Sequence, residues 1–354
     1  MATLFDLLKL MIDTGASDLQ ITTGSPPRMR IAGRLTPVED YPSLSPEDTK
    51  ELCYSVLSES QRSRLDSENE VDLSFGIRGL SRFRADIFMQ RGAVAGAFRS
   101  IPFTIKTIAE LGLPEVAGEI IRKPHGLILV TGPSRSGKST TIASMIDEIN
   151  TEREVHIVTV EDPIEYLHAH KKGLVNQREV NSDTASFKSG LRYIMRQYPD
   201  VVYISELHDC ETIEAALSIA ETGHLVLSTM HTNTAVQTIS RIIDLFPHYQ
   251  QEKVRGRVAT VLEGIISQQL IPSKDGRATV LALEVLVPTP AIRGLIRGDK
   301  VTQVTSMMQT GSSAGMQTMN QSLHDLCRKG TISREDAIGY SPMPEEMMTL
   351  LSKK

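Results

Sequence analysis

The chain of 354 residues is 40% hydrophobic and 23% charged, an ordinary globular balance with room for two or three domains. Its formal charge of -5, with both signs interspersed, gives no overall electrostatic case for nucleic acid or an anionic bilayer as partner. The cysteines Cys53, Cys210 and Cys327 are far apart and form no CxxC, so neither a disulfide framework nor a cysteine zinc site is indicated.

The amino terminus has no basic leader, and no later apolar run approaches the ~18 residues of a membrane span, so a cytoplasmic protein is expected. Leu4, Leu7, Leu8, Met11 and Ile12 recur at helical spacing, and short β segments follow around "DLQITTG", "PRMRIAGRL" and "SRFRADIFMQRGAVAGAFRS". Residues 1–100 read as a small α+β domain. Pro102 and the segment to Lys123–Gly126 read as a linker, 101–125. From Gly126 the pattern changes: "LILV", "VHIVTV", "VVYI" and "HLVLST" alternate with helical segments, near Phe187–Gln197 and Thr212–Glu221 among them. Continuous Val/Ile/Leu strands separated by helices imply a parallel sheet buried on both faces. "TVLALEVLV" (Thr279–Val287) closes this core, 126–287, as one further strand, and a helical region, 288–354, follows. No internal repeat or low-complexity tract is present.

The segment "LVTGPSRSGKSTTIA" contains the phosphate-binding pattern GxxxxGKS, after a buried strand and at the start of a helix. The loop Gly132, Pro133, Ser134, Arg135, Ser136 and Gly137, with Lys138, Ser139 and Thr140, would surround nucleotide phosphates with backbone amides. Lys138 would reach the terminal phosphates and Ser139 would ligate Mg²⁺. A second apolar strand ends in Glu161, Asp162 and Glu165, carboxylates aimed at the same crevice, where one could polarise water or support the metal; a solvated acidic turn is the alternative. A third ends in Glu206, in the pattern of a Walker B acid that touches magnesium directly or through water. His224 and His231 frame a fourth. A lone histidine in a sheet is more often structural, but two that frame a strand beside a phosphate loop weaken that reading.

These four elements, in this order, resemble the secretion ATPase superfamily: "EDPIE" is similar to its Asp box, "SELHDCET" to its Walker B region and "TGHLVLSTMHTN" to its His box. Within it the chain resembles the PilT-type pilus retraction ATPases over nearly its whole length, through "ASDLQITTGSPPRMRIAGRL", "KKGLVNQREV", "AIRGLIRGDK" and "GMQTMNQSLHDL". The resemblance implies an α/β fold, with a PAS-like amino-terminal domain and a RecA-like core, assembled as a homohexamer with ATP at the subunit junctions. It implies Glu165 as catalytic base, Glu161 and Glu206 as supports of metal and water, and His224 and His231 as links between nucleotide state and domain movement. Arg82, Arg84 and Arg99 are the candidates for arginines that act across a junction, beside the alternative of a basic solvated strand face. The implied partners are an inner-membrane pilus platform, which would hold the motor at the inner face of the cytoplasmic membrane, and a paralogous retraction ATPase. No nucleic acid is expected, since basic stripes with interleaved aromatics are lacking.

Three departures from the family pattern stand out. Ser134 and Arg135 replace Thr and Gly in the loop, Ser205 and His208 replace Gly and Arg after the Walker B strand, and Gly294 and Gly298 replace Asn and Glu in the carboxy-terminal AIRNLIRE motif. Arginine at a left-handed position costs ~1–2 kcal/mol. Hence three readings stand: an active retraction motor, a weakly hydrolysing accessory subunit of the ring, and an assembly or type II secretion ATPase.

Overall fold

The computed structural model describes residues 3–31, 34–101, 104–276 and 278–352. Pro102, and the Ala32–Gly33 step within "PRMRIAGRL", lie outside the described residues. By internal contacts the chain divides into two units: residues up to Thr104 with Pro163–Leu167, and Ile105–Asp162 with the residues from His168 onward.

In the first unit, Thr3 and Asp6 cap each other's backbone and start a helix, Leu4–Asp13, that buries Leu4, Leu7, Leu8 and Met11. Six antiparallel strands follow, β1 Asp18–Ile21, β2 Arg28–Ile31, β3 Arg34–Pro37, β4 Glu70–Ile77, β5 Ser81–Gln90 and β6 Ala93–Ile101, in the order β3-β2-β1-β6-β5-β4. β5 alternates strictly: Phe83, Ala85 and Ile87 enter the core and Arg84 and Asp86 face solvent. Two helices, Pro46–Tyr54 and Glu59–Glu68, separate β3 from β4.

The second unit holds a seven-stranded sheet: β7 Gly126–Thr131, β8 His156–Glu161, β9 Leu174–Glu179, β10 Val201–Ile204, β11 Leu225–Met230, β12 Leu262–Pro272 and β13 Thr279–Leu286. Its order is β13-β12-β7-β11-β10-β8-β9, with every neighbouring pair parallel except the β12-β13 hairpin. Alternate residues of a strand feed two apolar layers. Leu127 and Leu129 join the layer that contains Ile213, Leu217, Ile239 and Ile242, while Ile128 and Val130 meet Ile142, Ile146, Val116 and Ile120. The stretch expected as a linker carries a helix, Glu115–Ile121, whose Val116, Ala117, Ile120 and Ile121 are buried in that second layer.

Beyond β13 come the helices Pro290–Arg297, Met319–Arg328, Arg334–Gly339 and Pro344–Ser352, the last three around Met319, Leu323, Ile332, Ala337 and Met347. Glu284 on β13 is 5% exposed and accepts the first backbone N–H of two helices, Ala235 at 2.6 Å and Met319 at 3.3 Å. Burial pushes its carboxyl above the ordinary range, against those two donors. Within "AIRGLIR", Gly294 is exposed inside the helix, where a glycine costs ~1 kcal/mol relative to alanine; Gly298 instead occupies the carboxy-terminal cap, where that interior cost does not apply. Arg293 ties this helix to the end of the helix His248–Val261, donating to the carbonyls of Ala259 and Thr260 at 2.9 Å each and pairing with Glu263 at 2.8 Å.

Candidate functional site

Strand directions decide what can meet. β7, β8, β10 and β11 are parallel, so Thr131, Glu161, Ile204 and Met230 end on one edge of the sheet, where doubly wound folds bind ligands. From β7 the chain turns through Gly132–Gly137 into the helix Lys138–Glu152, whose Gly137 cap is left-handed at φ 90°. Gly132 has no room for a side chain: a Cβ there would collide with the Gln268 carbonyl oxygen and Ser136 Oγ. Gln268, 1% exposed on β12, also donates through Nε2 to the Ser136 carbonyl at 2.7 Å, bracing the loop from the neighbouring strand. Arg135 is exposed at φ 65°, so the left-handed backbone that the family's glycine would suit is here borne by an arginine.

The loop fits a phosphate ligand on its own geometry. Backbone is packed against backbone at Gly132, a helix amino terminus opens behind it, and Ser136 Oγ is buried with no hydrogen-bond partner. Lys138, only 8% exposed, donates to the carbonyls of Gly132 and Pro133 at 2.9 Å each. Its Nζ also lies 3.3 Å from His231 Nδ1, and His231 Nε2 lies 3.4 Å from Glu206 Oε1. An ammonium can only donate, so Nδ1 accepts and the imidazole proton sits on Nε2, facing the carboxylate. The ends of β7, β10 and β11 are thereby joined in one donor-to-acceptor series. Glu161, 5% exposed, is held separately: Thr159 Oγ1 donates to its Oε1 at 2.6 Å and Gln177 Nε2 at 3.0 Å. Ser139 and Thr140 occupy the first turn of the helix, both half-buried.

Other expected residues lie elsewhere. His224 precedes β11, at the opposite edge of the sheet from His231, where its Nδ1 lies 3.2 Å from the Ile219 carbonyl and 3.2 Å from Thr222 Oγ1 at the end of the helix Cys210–Glu221. It closes that helix and does not reach the phosphate loop. Glu165 is exposed, sits in the segment grouped with the first unit, and makes none of the hydrogen bonds or ion pairs that link the other residues. His208 is exposed too: it lies 3.3 Å from Asp209 and against the Phe187 ring, at the rim of a groove of about 540 Å³ between the helices Phe187–Ile194 and Cys210–Glu221.

The three arginines share one polar sheet face in the first unit. Arg84 and Arg99 are direct cross-strand partners, a like-charge placement offset by acids on the same face: Asp18 lies 2.6 Å from Arg99 and 3.4 Å from Arg30, and Asp72 lies 3.6 Å from Arg84. Arg82 donates to Ser74 Oγ at 2.5 Å. Gln268 and Gln177 are the site residues that motif reading does not supply. The signal for Gln268 is the polar pair in "SQQLI", which interrupts an apolar strand.

The model of the family described as "Type II/IV secretion system protein" matches residues 104–322. The type IV pilus retraction ATPase PilT of Pseudomonas aeruginosa is 44% identical over 340 residues, 96% of this chain and 98% of that one. The type IV pilus ATPase PilU of the same species is 40% identical over 98% of this chain and 90% of its own. Among solved structures, the pilus retraction motor PilT with bound ADP superposes with a TM-score of 0.93 at 52% identity, covering 99% of this chain and 100% of that one.

Proposed function

The chain belongs to the type II/IV secretion system protein family, and from that membership we propose that it is the ATPase motor that retracts type IV pili. The observation that carries this reading is the series Lys138, His231, Glu206, which joins three strand ends around a loop fit for phosphate. The amides of Gly132–Lys138 hold the phosphates. Lys138, now satisfied by two loop carbonyls, exchanges them for the terminal phosphate oxygens. Ser139 and Glu206 would hold Mg²⁺, which would neutralise charge on the phosphate oxygens. Glu161 is fixed by two donors to orient water, and Glu165 accepts a proton from the attacking water at its carboxylate.

His231 carries the state of Lys138 to β11, and His224 completes the far end of the same strand. Six copies form the ring, with arginines of the first unit reaching the neighbouring site. Arg84, the most loosely paired of the three, is the first to test. The ring works from the cytoplasm on a platform protein in the inner membrane, beside a paralogous ATPase. No helix among the described residues is long and apolar enough to cross a membrane.

Steady-state ATP turnover of the purified full chain tests the reading, with Lys138→Ala as background. Turnover no higher than that background would end it. The left-handed Arg135 supports the second reading, a slow accessory subunit, and Arg135→Gly together with His208→Arg would then raise turnover several-fold.

A further inference from the structure

The chain leaves the core sheet at Glu161, the last residue of β8, and re-enters the second unit at His168; between them runs the short excursion that carries Glu165. One side chain grips both ends. Gln177, paired in register with Thr159 across the β8-β9 ladder, donates from Nε2 to Glu161 Oε1 at 3.0 Å and accepts the His168 backbone N–H on Oε1 at 2.9 Å.

A primary amide suits this double duty as few groups do, since it donates to a carboxylate and accepts from a peptide N–H with the same three atoms. A carboxylate or an ammonium could do only one of the two. Past the return point the chain is tied again. Asn150, fully buried, donates to the Ala169 carbonyl at 2.7 Å and accepts from the Lys171 amide at 3.2 Å. The His168 ring is itself largely buried, and that burial pushes its pKa down to about 4, so packing and hydrogen bonds, not an ion pair, set where the excursion ends.

We propose that Gln177 is a positioning residue for ATP turnover: by fixing the separation of Glu161 and the His168 amide, it sets the entry and exit of the loop that presents Glu165. The assignment rests on the proposed role of Glu165. Short loops are the ones whose conformations respond most to the placement of their ends, and a misplacement of about 1 Å in a catalytic group costs on the order of 10²-fold in rate. Thr159 donates to the same Glu161 oxygen but its side chain makes no hydrogen bond to His168, so it separates holding Glu161 from tethering the loop.

The test uses the full chain with Gln177→Met, which keeps the volume and removes both polar ends, beside Thr159→Val. Amide hydrogen exchange is followed over residues 162–168, with ATP turnover and ADP affinity measured in parallel. Gln177→Met is expected to speed exchange in 162–168 and lower kcat by roughly tenfold or more, while KM for ATP and ADP affinity stay within about twofold. Thr159→Val is expected to leave exchange in 162–168 at the wild-type rate. Unchanged exchange in Gln177→Met, the same loosening in Thr159→Val, or a parallel loss of kcat and ADP affinity would each overturn the proposal. A wild-type chain without turnover would sink the functional reading instead, and the exchange comparison would still judge the tether.

Discussion

β11 carries a histidine just beyond each end, and the two have little in common beyond their ring. At the carboxyl end His231 bridges two other strand ends, between Lys138 and Glu206; at the amino end His224 stays local, completing the last turn of the helix that leads into the strand. The amino edge is not local throughout: Asp200 Oδ2 accepts the His156 backbone N–H at 2.8 Å and His156 Nδ1 lies 3.3 Å from the Tyr198 carbonyl, contacts that tie the start of β8 to the start of β10. What sets the carboxyl edge apart is that its polar groups meet beside the phosphate loop. In a parallel sheet, the direction of the strand decides at which edge a polar residue comes to lie, and with it whether the residue can reach a ligand there.

The largest effect that would break this contrast is at Lys138. Replacing it with alanine should lower turnover by at least 10²–10³-fold, because a preorganised cation at developing phosphate charge is lost. A coupled-enzyme ATPase assay that found near-normal rates would remove the carboxyl edge from the chemistry. Glu165→Gln should cost about 10²-fold in kcat with nucleotide affinity retained, the lower end of what a lost general base costs, and ADP titration beside the rate assay separates the two.

The histidine pair sharpens the comparison directly. His231→Ala removes charge-assisted contacts worth ~1.5–3 kcal/mol, equivalent to roughly 10–100-fold in rate, whereas His224→Ala should leave kcat within about twofold and cost ~1 kcal/mol of stability. Equal losses of rate in the two variants would mean that strand direction does not sort them.

A pH effect comes next in size. The folded pKa of His168 is about 4 against an ordinary 6.5, so the unfolded chain binds the proton first, and stability is lost as pH falls from about 6.5 towards 4. His168→Gln should flatten that fall in denaturant midpoint by up to ~3 kcal/mol. The smallest effect is at Gly294, an exposed helical position where a Cβ would meet nothing within 4 Å. Gly294→Ala should raise thermal stability by ~1 kcal/mol without a change in turnover, read from the unfolding midpoint.

Much of this was legible in the residues. The strand, turn and helix around Gly132–Lys138 and the fully buried β7, β10 and β11 follow from runs of Val, Ile and Leu broken by a glycine-rich loop. β9 is different: "LVNQRE" is two-thirds polar, and it becomes a strand because β8 offers it a free edge. The helix Glu59–Glu68 buries only Leu65, so periodicity gives it almost no signal. The setting of His224 depends on the sheet in a related way. Spacing along one strand reveals that two histidines frame it, but not that they face opposite edges of a sheet. Glu161, Glu206 and His231 were identifiable by type and position, while Gln177 and Gln268 depend on neighbours that only the strand order supplies.

The carboxylate of Glu284 sets a rule about length. It receives the first N–H of the helix that begins four residues after His231 and the first N–H of the helix that begins at Met319. Adding or deleting a single residue between His231 and Ala235 would turn that N–H away by about 100° of helix and leave a buried carboxylate short of a donor, at ~1–3 kcal/mol or more. The long connection from Leu286 to Met319, with its own short helices, has slack to absorb such a change. Insertions and deletions among relatives of this chain should therefore gather in the second segment and spare the first.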